Sequence, residues 1–206
     1  MSAATALTGT LLTQALAPPS YFPGFTENSK YTENFGTGTD ALPTQYDLAT
    51  LACPSFTAHM IYATWFGQTA LAWAEFDNPS IGGQANQTYD EFIYQFADAA
   101  VAGSFIQEIR SAYSRCQSYT DVESGASAQV TWTVADLAAI GGGQAMEATG
   151  TDTGSVGTIT ADVFYVLSGN DVYGVVLGGA LMAVPASPAA ATVIEGMITQ
   201  VQDISG

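Results

Sequence analysis

Residues 89–121 read YDEFIYQFADAAVAGSFIQEIRSAYSRCQSYTD, and two periodicities meet inside them. Up to Phe96 the side chains alternate. Phe92, Tyr94 and Phe96 fall on one face and Glu91, Ile93 and Gln95 on the other, the period of two that marks a strand. At Asp98 the period changes. Its carboxylate can accept from an amide two or three residues on, which makes it an N-cap. Val101, Phe105, Ile109, Ala112 and Tyr113 then form one stripe at helical spacing as far as Cys116. Arg110 and Arg115 lie in the C-terminal half, where positive charge complements the helix dipole. A strand running into a helix with one apolar stripe predicts a helix laid on a sheet.

Working outward, two strand-like runs, Ala70–Phe76 and Thr88–Phe96, are joined by the turn-rich cluster Asp77–Gly83. Downstream, Val130, Trp132 and Val134 alternate with Thr131 and Thr133. Gly141-Gly142-Gly143 predicts a turn, and Gln144–Thr149 a further strand. Thr158–Leu167 and Val172–Leu177 read as a hairpin around Ser168–Asp171. Both faces of Val163–Leu167 are apolar, which predicts a central strand covered on both sides. After Ser187-Pro188 a final helix should bury Ala190, Ile194, Met197, Ile198 and Val201. Upstream, residues 2–17 carry a helical face of Leu7, Leu11, Leu12, Ala15 and Leu16, stopped by Pro18 and Pro19. Residues 48–65 read as a short helix holding Cys53, and the polar, glycine-rich stretch 26–44 as a mobile loop. The fold class expected is α+β: one domain over residues 1–206, with a single antiparallel sheet of about five or six strands and helices packed against it.

Composition bounds what such a domain does. The hydrophobic fraction is 48%, with ten Phe, ten Tyr and three Trp, ample for a core at 206 residues. Charged residues are only 11% of the chain, and nineteen acids face three cations, Lys30, Arg110 and Arg115, for a net charge of −16. That field repels nucleic acid and anionic headgroups, so no nucleic-acid partner is expected. The surface should then be mainly Thr, Ser, Gln, Asn and Gly. The longest apolar run, 172–185, is interrupted by Gly174, Gly178 and Gly179 and is too short for a membrane span of about 20 residues. Residues 1–24 contain no Lys or Arg and so do not form a signal peptide. Either the protein stays inside the cell or a leader has been removed; the cysteines and the Thr/Ser-rich composition fit the second better.

Candidate chemistry is sparse. Cys53 and Cys116 could bridge, closing a loop of about 60 residues worth roughly 4 kcal/mol, or could be two buried thiols; spacing leaves both open. His59 is the only histidine, and two Cys with one distant His do not make a metal shell, so no metal or cofactor is expected. No Gly-x-Ser-x-Gly elbow accompanies His59, and Asp90 and Glu91 point to opposite faces of a strand. Gly141–Gln144 lacks the Lys and Ser/Thr of a phosphate loop. Asn86-Gln87-Thr88 fits the glycosylation acceptor pattern, which matches often by chance. Trp73, Tyr94 and Trp132 sit on strands where alternation can aim them at one cavity, and they are the candidate ligand-binding residues; the commoner fate of such aromatics is core packing.

The 89–121 block also resembles the PknH-like extracellular sensor domains of actinobacteria. The matching residues are Phe96, Ala97, Asp98, Ala99, Ala100, Phe105, Arg115, Cys116, Tyr119 and Thr120. Leu48–Cys53 resembles the segment that supplies a partner cysteine there, and Leu11–Phe25 resembles the opening helix and its Pro-x-Gly-aromatic exit. The likeness runs over about residues 7–202. It implies an extracytoplasmic antiparallel sheet with helices against it, a cleft for ligand capture, and a Cys53–Cys116 disulfide. Kinase-attached members carry a second disulfide, for which this chain has no cysteines, and neither a kinase domain nor a membrane helix is present in it. The resemblance therefore implies a free-standing secreted or lipid-anchored relative.

The leading functional reading is a non-catalytic cell-envelope sensor or binding domain for a small or lipid-like ligand, with a protein partner at the envelope as a further expectation. The alternative is a structural or protein–protein interaction module of the cell surface. A hydrolase with an unrecognised site is the weaker third.

Overall fold

The computed structural model describes residues 7–22, 24–34, 67–78, 87–123, 126–154, 157–180 and 189–205. Its centre is one antiparallel sheet. In chain order the strands are β1 (Thr26–Asn34), β2 (Ala70–Asn78), β3 (Gln87–Gln95), β4 (Ser118–Glu123), β5 (Ala126–Ile140), β6 (Gly143–Gly154), β7 (Gly157–Ser168) and β8 (Asp171–Ala180). The helices are α1 (Gly9–Ala15), α2 (Ala99–Arg115) and α3 (Ala190–Ser205), with a 3-10 turn at Pro19–Tyr21.

The strand order is β1-β2-β3-β8-β7-β6-β5-β4. Two meanders make it. The first, β1 to β3, runs from one edge to the middle. Helix α2 then crosses to the opposite edge, and β4 to β8 walks back until β8 pairs with β3, with Tyr94 opposite Val172 and Phe92 opposite Gly174.

Each face of the sheet carries its own core. Under α2, the stripe Phe105, Ile106, Ile109, Ala112 and Tyr113 packs on Phe92, Tyr94, Trp132, Met146, Val163 and Tyr165, all buried. Burying each large side chain contributes roughly 1.5–3 kcal/mol. Asp98 caps the helix as its sequence implies, accepting from the amides of Ala100 and Val101 at 2.9 Å each. On the opposite face, α1 and α3 cover Ala72, Ala74, Phe76, Tyr89, Ile93, Tyr173 and Val175. All five residues expected on the inner face of the last helix are buried there.

Eight strands replace the five or six expected. The six read from alternation are present, and the two additional ones, β1 and β4, are the sheet edges. An edge strand pairs on one side only, so it needs no apolar alternation to hold it. TENSKYTEN and SYTDVE show none. Residues 26–34 are accordingly strand β1 and not loop, paired with β2 across a bulge between Glu27 and Ser29; residues 35–44 lie outside the described residues. The first helix is shorter than 2–17. Thr8 caps it through its hydroxyl, at 3.3 Å from the Leu11 amide, and Leu16 is already extended ahead of the two prolines. The helix expected over 48–65, with Cys53 and His59, lies outside the described residues.

Beyond the cover of α1 and α3, strands β5 to β7 turn a polar surface outward. Thr131, Thr133, Thr149 and Thr153 are exposed on it, and the Thr131 and Thr151 hydroxyls meet at 2.5 Å. This is the threonine-rich surface that the scarcity of charges calls for.

Candidate functional site

The candidate site begins with a turn. Ile140 pairs with Gly143, so β5 and β6 are joined by two residues, Gly141 and Gly142, both at positive φ (55° and 80°). Such a turn requires φ > 0 at both positions, which glycine supplies without strain. Just before it, the register of β5 shifts between Leu137 and Ile140. A bulge at this place bends the strand and re-aims its side chains.

Between this hairpin end and α2 lies an open groove of about 550 Å³. Helix α2 contributes Ile106, Gln107 and Arg110. The hairpin contributes Asp136, Leu137, Ala139, Gly142, Gly143, Gln144, Ala145 and Met146. Ile106, Ala145 and Met146 are buried and apolar, while Gln107, Asp136 and Gln144 are exposed. Arg110 donates through Nη2 to Oδ1 of Asp136, an ion pair that joins the two walls. The volume falls in the range of small-molecule sites, and the mixture of an apolar base with a few polar groups is what such sites use for orientation.

The three aromatic residues singled out from the sequence are brought together, but elsewhere. Tyr94 and Trp132 are buried in the core under α2, and Trp73 is half-buried against it. The Trp132 ring meets that of Tyr113 at 4.5 Å, tilted by 48°, and lies over Gly150, where a Cβ would stand 2.6 Å from the indole. Tyr94 stacks on Phe92 at 4.7 Å. None of the three lines the groove. Close packing against both a glycine and a ring leaves Trp132 no free face for a ligand.

A second polar constellation sits under α1. Glu91 and Gln95 share the face of β3 opposite the α2 core, and both are buried. Gln95 accepts from the Leu7 amide at 2.8 Å and donates to Asp171 at 3.1 Å; Glu91 accepts from the Ala17 amide at 2.9 Å. Two side chains on one strand thus hold the chain at both ends of α1. The second Glu91 oxygen, Oε1, has no hydrogen-bond partner among the described residues. Burial pushes the Glu91 carboxyl up to about 8, against the Ala17 hydrogen bond and Lys30, which pull it down, and with Glu27 adding to the rise. Burial likewise raises Asp171 to about 6, opposed by its hydrogen bonds from Gln95 and Tyr173. On the other face Asp90 rises to about 7, through burial and then the charges of Glu75 and Asp77.

Cys116 is the C-cap of α2 and is buried. No cysteine among the described residues is free. Among those residues no group of three or more His, Cys, Asp or Glu side chains is arranged to hold a metal ion, and no helix is long and apolar enough to cross a membrane.

The groove was missed because its wall is made by a bulge and a glycine turn, not by a residue pattern. In the sequence Arg110 stands out only for its place in the C-terminal half of a helix. The available signal was arithmetic: with three cations in the chain, each position is informative.

Fold and groove together define a class: an α+β domain built on one antiparallel sheet, with helices on both faces and an open groove beside its crossover helix. The chain has the fold of the extracellular domain of PknH from Mycobacterium tuberculosis, with a TM-score of 0.66 at 12% identity over 98% of this chain and 100% of that one. An uncharacterised protein of Mycobacterium smegmatis, an Rv0999 ortholog, aligns at a TM-score of 0.40 and 12% identity over 91% of this chain and 92% of that one. No protein-family profile matches the sequence. No curated protein matches it either.

Proposed function

We propose that this chain is an extracytoplasmic binding domain of the sensor type, a single domain that takes a small or lipid-like ligand in the groove between α2 and the β5–β6 hairpin and does no chemistry on it. The observation that carries the reading is the groove itself, about 550 Å³ and open, on a fold shared over nearly its whole length with a kinase's extracellular domain. Three features support the non-catalytic part. Among the described residues, the groove lining has one cation and one carboxylate, already paired with each other. Among the described residues that line it there is no Ser, Thr, Cys, His or Lys that could act as nucleophile or base. The raised carboxyls Glu91 and Asp171 are committed to holding the chain around α1 and to Gln95, away from the groove.

A disulfide between Cys116 and Cys53 belongs to the same proposal. It would anchor the end of α2, and so the helical wall of the groove, against a segment far away in sequence. Placement outside the cytoplasm fits both this bridge and the acidic, lysine-poor composition.

Native mass spectrometry of protein purified from its own host tests the reading. A non-covalent adduct of small-molecule mass, lost on denaturation and reduced by filling the groove with Gln144→Trp, is expected. A bare chain mass, together with no small molecule from a host-envelope extract binding the purified protein, would overturn it.

A further inference from the structure

We infer that the groove is specific for an amphipathic carboxylate, whose head displaces Asp136 from Arg110 and whose apolar tail lies on Ile106 and Met146. This rests on the groove being the binding site, as proposed above.

The argument starts from the scarcity of positive charge. Nineteen acids against three basic residues make the molecule a repulsive surface for any anion, so an anionic ligand needs a local cation. Lys30 is exposed on edge strand β1, and Arg115 is paired with Glu108 at 2.9 Å. Arg110 alone lines the groove.

Its pairing is lopsided. The Arg110 side chain is 31% exposed, lying in the helical wall, whereas that of Asp136 is 77% exposed. The cation is held by the structure and its counter-ion stands in solvent. An ion pair with one member so exposed contributes little, so swinging Asp136 aside costs little. A ligand carboxylate arriving over Ile106 and Met146 inherits the same guanidinium donors, and a planar fork is suited to a two-oxygen acceptor. It gains in addition the burial of its tail on those two buried side chains, which the Asp136 side chain cannot supply. Asp136 thus acts as a built-in competitor that keeps Arg110 oriented and excludes small hydrophilic anions, which bring no tail to offset its displacement. The exposed amides of Gln107 and Gln144 at the rim can turn to donate to the incoming head.

The opposite polarity, a cationic amphiphile seated on Asp136, is disfavoured by the same asymmetry. It would leave Arg110, the less exposed member, without its acceptor.

The test is isothermal titration of the intact chain with three ten-carbon probes, decanoate, decanol and decyltrimethylammonium, below their micelle concentrations. The proteins are wild type, Asp136→Asn and Arg110→Gln, each checked for an unchanged melting temperature. The expected result is that decanoate binds best, that Asp136→Asn tightens it several-fold, and that Arg110→Gln weakens it about tenfold or more. Decanol should bind weakly and ignore both substitutions. Decanol or the cation binding as tightly as decanoate, or decanoate indifferent to Arg110→Gln, overturns the carboxylate inference while leaving the groove as a site. No binding of any probe to the wild type overturns both.

Discussion

Replacing Glu91 by Gln should make the protein's stability less dependent on pH, and the direction is fixed by burial. Glu91 is fully buried, one oxygen accepts from the Ala17 amide, and its carboxyl is raised from 4.5 to about 8. The folded protein therefore holds a proton on Glu91 between about pH 4.5 and pH 8 that the unfolded chain has released. Stability falls with rising pH wherever the native state binds more protons. The cost is absent below pH 4.5, accumulates through that window, and is constant above it. Its size follows from the interval: 8 less 4.5 is 3.5 pH units, and at 1.36 kcal/mol per unit this amounts to about 5 kcal/mol. Glutamine keeps an oxygen for the Ala17 amide and cannot ionise. Urea unfolding of wild type and Glu91→Gln at half-unit steps from pH 4 to pH 9 measures the difference. Asp90 and Asp171 titrate in both proteins and cancel, so the wild type should lose about 5 kcal/mol relative to the variant across the window. Parallel curves would refute the buried-acid argument, as would a wild type that gains stability over the variant with rising pH.

Two further outcomes follow from packing and from the cysteines. At Gly174 a Cβ would stand 1.9 Å from the Phe92 ring, so Gly174→Ala should cost several kcal/mol, comparable with the 1–3 kcal/mol or more of overpacking; Phe92→Leu in the same chain should restore part of it, as denaturant midpoints would show. Thiol titration of denatured, unreduced protein from an oxidising host should find no free thiol; two per chain would exclude the Cys53–Cys116 bridge.

What the sequence made legible was decided by burial. Strands β3, β7 and β8 and helices α2 and α3 bury one face or both, and their apolar periods located them to within a few residues. The edge strands β1 and β4 pair on one side only and carry no apolar period in their sequences, and they raised the strand count to eight. Nothing in the alternation of β3 says that Glu91 and Gln95 are buried. They are buried because β3 lies between β2 and β8 and is covered by helices on both faces, a circumstance that only the strand order reveals. Trp132 and Tyr94 were legible as a pair facing one side, but Gly150 opposite Trp132, which turns that side into core, is non-local in sequence. The groove depended on a bulge and two glycines at positive φ, geometry that no side-chain pattern announces.

The central claim, that the groove beside α2 is where a ligand sits, is tested most directly by the methionine methyl groups. Met146 lies in the groove, and Met197, on the inner face of α3, is buried in the other core across the sheet. In a carbon-13 methyl-methionine NMR titration with decanoate, the Met146 resonance should shift in a saturable way while Met197 stays in place. A saturable shift of Met197 with Met146 unmoved would put the ligand on the wrong face of the sheet and contradict the account.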